Sequence, residues 1–70
     1  MKLKLLFIGG GFDKKEAIID VEKGQRYSDI LESLNINPET VVLVRDGKPI
    51  PTDDFVAGGE VKVLRVVSGG

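Results

Sequence analysis

The groups that could carry covalent chemistry in these 70 residues are few. Cysteine and histidine are both absent, which excludes thiolate nucleophiles, disulfides, structural zinc and the usual general base together. Carboxylates, lysines and one tyrosine remain, on a chain too short to enclose a deep cleft, so an enzyme acting alone is not expected. Asp53-Asp54 are adjacent carboxylates in a loop, where such pairs cap turns or stay solvated, and Lys14-Lys15 read as surface charge. No site is placed on either. The chain ends in EVKVLRVVSGG, a strand that runs almost to the last residue and stops in Gly69 and Gly70. A flexible end or a linker would give the same two glycines.

Composition narrows the partners. Ten Lys and Arg against eleven Asp and Glu give a net charge of −1 with the signs interspersed. Three Phe and one Tyr supply no aromatic ladder, so neither a basic stripe nor a base-stacking surface for nucleic acid is present. No apolar run reaches the roughly 18 residues of a membrane span, and LLFI in MKLKLLFIGGGF is shorter than the apolar core of a signal peptide. The sequence therefore predicts a cytoplasmic monomer. At 41% hydrophobic residues one small core can form, provided the apolar positions are well patterned.

The elements that must position the tail follow from periodicity. KLKLLFI (2–8) alternates Leu3, Leu5 and Phe7 against Lys2, Lys4, Leu6 and Ile8, the pattern of a half-buried strand. GGGFDK turns the chain into EAIIDVE (16–22), with Ala17, Ile19 and Val21 on one side. The glycines match no phosphate-loop spacing. Tyr27, Ile30, Leu31 and Leu34 fall at i, i+3, i+4, i+7 and predict the one helix. Ser28 or Asp29 is its expected cap, Asn35 its left-handed terminator and Pro38 a block to restarting. A third strand (40–45) ends at the tight turn Asp46-Gly47, and KPIP returns as an edge strand because Pro49 and Pro51 lack amide donors. TDDFVAGG predicts a loop with one helical turn and an inward Phe55, before the last strand EVKVLRVV. Helix on sheet then buries Leu3/Leu5, Ile19/Val21, Val41/Leu43 and Val61/Val63.

This order together with VVLVRDGKPIP, GGEVKVLRVVSGG and the terminal diglycine resembles the ubiquitin-like β-grasp family. Within it the chain is similar to the small sulfur carriers of the ThiS and MoaD type and to the small archaeal modifier proteins. The resemblance covers the whole chain. It implies an α+β fold, a mixed sheet of four to five strands packed on one helix, with a domain at 1–66 and a flexible tail at 67–70. Two departures stand out: Arg26-Tyr27-Ser28 opens the helix where such carriers often have a threonine cap, and Asn35 stands where many have glycine.

The resemblance also implies a function. An ATP-dependent partner of the ubiquitin-activating type adenylates Gly70, with Val67, Ser68 and Gly69 read by that partner. The ATP and magnesium belong to the partner, and this chain binds no cofactor or metal. The acyl-adenylate then yields a thiocarboxylate that donates sulfur for cofactor or tRNA thiolation, or an isopeptide bond to lysines of target proteins. A binding module with an inert tail is the third alternative. Four extended residues reach roughly 14 Å beyond the sheet, enough to thread a narrow channel. If one sheet face covers the core, alternation turns Leu6, Val42, Val44, Leu64 and Val66 to the other as an expected partner patch.

Overall fold

Alternation within the strands decides which side of the sheet meets the helix. The computed structural model describes residues 1–66. Its elements are β1 (Lys2–Ile8), β2 (Glu16–Asp20), helix α1 (Tyr27–Ser33), a 3-10 turn (Pro38–Thr40), β3 (Val41–Arg45), β4 (Lys48–Ile50) and β5 (Gly59–Arg65). The strands form one sheet in the order β2-β1-β5-β3-β4. Central β1 and β5 run parallel, while the other neighbours are antiparallel. A mixed five-stranded sheet covered by one helix is the α+β arrangement of the ubiquitin-like β-grasp. The expected tail residues Val67, Ser68, Gly69 and Gly70 lie outside the described residues. Among those described, no helix is long and apolar enough to cross a membrane.

The core sits between α1 and the inner sheet face. Leu3, Leu5, Val61, Val63 and Leu43 from the three middle strands meet Tyr27, Ile30 and Leu31 of α1, with Val21, Val41 and Val56 closing the margins. All four inner pairs read from the sequence face this way. Ile19 is half-buried, since it lies on the outermost strand. Val21 lies just past β2 yet remains buried, because Val21 N–H donates to the Met1 carbonyl and the Met1 ammonium donates to the Val21 carbonyl. Asp46 and Gly47 both take positive φ, as the two-residue hairpin requires.

Local details differ from expectation at three places. The residue capping α1 is Arg26, extended at φ −105°. Asp29, one turn inside, accepts from the Arg26 N–H at 3.1 Å, so its carboxylate satisfies the helix start from the third position. Asn35 does end the helix at φ 60°. Its N–H donates to Glu32 and the Ile36 N–H donates to Leu31, the paired bonds of a left-handed helix stop. Pro38 opens the 3-10 turn instead of blocking a restart, because the first helical position needs no amide donor.

The third difference is the loop after β4. One hydrogen-bonded turn closes there, Asp54 N–H donating to the Pro51 carbonyl, without continuing into a helix, and Val56, not Phe55, is the inward anchor: Val56 is 7% exposed and Phe55 56%. Tyr27 N–H donates to Asp54 and Val56 N–H to Gln25, so residues 54–56 run extended beside 25–27. In extended chain successive side chains point to opposite sides, and Arg26 and Phe55 pair on the outer side, the guanidinium 4.6 Å from the ring centre. Arg45 fastens the same loop from β3, donating to Tyr27 Oη and to the carbonyls of Ala57 and Gly58.

Candidate functional site

The open face of the sheet changes character along the strands. At one end it is charged and internally neutralised: Lys2 pairs with Asp20 at 2.9 Å, and Lys4 lies 3.3 Å from Glu16 and 3.9 Å from Glu60. Donation from Lys2, with its positive charge, holds the Asp20 carboxyl below the usual range. Toward the other end the cross-strand registers place Leu6, Lys62 and Val44 in one row and Ile8, Leu64 and Val42 in the next. Lys62 makes no ion pair among the described residues. Val66 follows β5 at the same end.

The structure thus brings Leu6, Val42, Val44 and Leu64 together on one face. They are half-buried, since neighbouring side chains on the same face shield one another, while Val66 is 58% exposed. Ile8 belongs beside them, 41% exposed and directly opposite Leu64. Alternation had put Ile8 on this side, but only the parallel pairing of β1 with β5 makes it a neighbour of Leu64. Val66 N–H donates to the Thr40 carbonyl at 3.0 Å, so the last described residue is tied to the 3-10 turn and the aliphatic row borders the point where the tail begins. The expected site residues Val67, Ser68, Gly69 and Gly70 lie outside the described residues.

On the helix side of the same end, the Arg65 guanidinium lies 4.7 Å from the Phe12 ring centre, and Phe12 packs against Phe7 at 5.1 Å. Sequence reasoning had no signal for this contact, because Phe12 sits in the hairpin loop, 53 positions from Arg65 by subtraction of their numbers. Asp53 and Asp54 stay exposed, and Asp54 accepts from the Phe55 N–H. Among the described residues no cluster of three acidic side chains could hold a metal ion.

Comparison with known proteins agrees with this architecture. Residues 1–67 match the family model of small archaeal modifier protein 2. An uncharacterized protein of Archaeoglobus fulgidus is 64% identical over 70 residues, covering both chains fully. The small archaeal modifier protein 2 of Haloferax volcanii is 35% identical over 52 residues, 74% of this chain and 79% of its own. The chain belongs to the small archaeal modifier protein 2 family of ubiquitin-like proteins.

Proposed function

We propose that this protein is a ubiquitin-like acyl carrier, the substrate of a partner enzyme that activates the α-carboxyl group of Gly70 with ATP. The observation that carries the reading is the family match over residues 1–67, joined to a diglycine that begins four residues after β5, by subtraction of Arg65 from Gly69. A carboxylate resists nucleophiles because its charge repels them and neither oxygen departs readily. With a pKa near 3.5 it is ionised at neutral pH and can attack the α-phosphorus of ATP. Pyrophosphate leaves and the carbonyl gains AMP as a leaving group. ATP and magnesium are supplied by the partner, and the open-face patch of Leu6, Val42, Val44, Leu64 and Val66 docks there.

Sulfur transfer is the first fate proposed for the acyl-adenylate. A partner persulfide attacks the carbonyl carbon and AMP departs, leaving an acyl disulfide. A second thiol then attacks the partner's sulfur, forming a protein disulfide and releasing the Gly70 thiocarboxylate. Both sulfur nucleophiles belong to partners, since this chain has no cysteine. Conjugation is the second reading, and the name of the Haloferax volcanii relative, a modifier protein, favours it. There a lysine amine of a target takes the acyl group, directly or through a thioester, and loses a proton as the isopeptide bond forms.

The test of the common step is ATP–pyrophosphate exchange by the activating enzyme of the source organism. Exchange that needs this chain, and is lost when Gly69 and Gly70 are deleted from a folded variant, is the expected result. Equal exchange with and without the diglycine would overturn the reading and leave a non-covalent module with an inert tail.

A further inference from the structure

β5 loses its two neighbours at different points as it nears its end. On the β1 side the last paired residues are Ile8 and Leu64, after which the chain passes into Gly9-Gly10-Gly11. On the β3 side pairing runs one residue further, to Val41 and Arg65, and Val66 N–H then donates to the Thr40 carbonyl. Arg65 and Val66 are therefore held through the main chain from one side. A strand end held in this way opens more readily than one paired on both sides.

A side chain supplies the hold missing on the β1 side. Alternation sends Arg65 to the helix side of the sheet with Val61 and Val63, and its guanidinium lies 4.7 Å from the centre of the Phe12 ring. Phe12 rests in turn on Phe7 of β1 at 5.1 Å, so the contact ties the end of β5 back to β1 across the glycine loop. Gly11 makes room for it: a Cβ there would stand 3.3 Å from Cζ and Nε of Arg65, and its φ of 88° suits glycine. Arg65 enters no ion pair among the described residues, so no carboxylate draws it off the ring.

We propose that Arg65 is a positioning residue for activation: stacked on Phe12, it fixes the direction in which the chain leaves the sheet at Val66, and with it the fraction of molecules aligned for the activating partner. The inference rests on the carrier reading and adds Phe12, a residue of the hairpin loop on the opposite side of the sheet from the aliphatic patch. An exposed contact between a guanidinium and a ring biases such an alignment about two- to fivefold. A smaller aligned fraction weakens apparent binding and leaves the chemical step alone. The effect therefore falls on KM, with kcat unchanged.

Two measurements on the full-length chain test this, one without the partner and one with it. Amide hydrogen exchange at Val66 should quicken about two- to fivefold in R65Q and in F12L, which keeps an apolar side chain on Phe7 but removes the ring face, while exchange at Val63 stays the same. F12Y keeps a ring and should restore the wild-type rate. In ATP–pyrophosphate exchange by the activating enzyme, F12L and R65Q should each raise KM for the chain about two- to fivefold at constant kcat, and the double variant no more than either alone. Wild-type KM in F12L would overturn the proposal, and a raised KM in R65Q beside it would mean that the partner reads Arg65 directly. Equal loss of protection at Val63 and Val66 would also overturn it, by reducing the contact to general stability. Failure of the carrier reading looks different: the wild-type chain then elicits no pyrophosphate exchange although protection at Val66 still depends on Phe12, and with nothing to position the inference falls too.

Discussion

The two faces of the sheet are made by the same strands and differ only in what covers them. Inward residues of β1, β3 and β5 (Leu3, Leu5, Leu43, Val61 and Val63) are almost completely excluded from solvent. Their immediate neighbours in sequence (Lys4, Leu6, Val42, Lys62 and Leu64) stay at least partly exposed. Side-chain period two means that one strand can serve stability on one side and recognition on the other. The open face is divided again, charge-paired at the Lys2 and Lys4 end and aliphatic at the end where the tail begins. Stability should therefore respond to the inner face and partner activation to one end of the outer one.

Substitutions at adjacent positions can break that separation. Leu43→Ala on the inner face should cost about 2–5 kcal/mol in urea unfolding, because Leu43 is wholly buried and its removal leaves a cavity. For so small a domain that is much of the total stability. Tyr27→Phe should cost about 1–3 kcal/mol, since the phenolic oxygen accepts from Ala57 N–H and Arg45, and its loss leaves the Ala57 N–H without that partner while Arg45 keeps its two carbonyls. Leu64→Glu, on the outer face beside Val63, should leave the fold intact while slowing activation by the partner tenfold or more, roughly the effect of losing one good interface contact. A folded L64E activated at the wild-type rate would show that the aliphatic end is not the docking surface.

The smallest effect belongs to the charged end. Lys2 keeps Asp20 ionised to lower pH than an isolated carboxylate, so folding gains a little wherever Asp20 is charged in both states. That gain is present above the ordinary Asp value of about 3.9 and disappears as pH falls through the lowered folded value. Because the pair is fully solvated, D20N should flatten the acid limb of the stability profile only slightly. A large change in the acid midpoint would mean that the charged end contributes more than surface screening allows.

Much of this organisation was legible in the chain. Alternation identified the inner pairs, the Asp46-Gly47 dipeptide the turn and the two prolines the edge strand, because each depends on local backbone rules. The misreadings came from contacts made at long range. Phe55 looked like an anchor by its size, yet pairing of residues 54–56 with 25–27 turns Val56 inward instead. Arg26 is an unlikely cap by residue type, and only the folded loop shows it held by Asp53 through its guanidinium as well as by Asp29. The site was legible as a set of outward positions, but Ile8 joined it only once β1 and β5 were seen to lie side by side.

The most direct test of the central claim, covalent chemistry at Gly70, is the intact mass of the protein purified from its source without thiol-scavenging reagents. The account predicts a species heavier by the replacement of one oxygen with sulfur and mapped to Gly70. Larger adducts joined through Gly70 to target lysines, without that species, would transfer the claim to conjugation. A free carboxylate alone, with neither product, would contradict it.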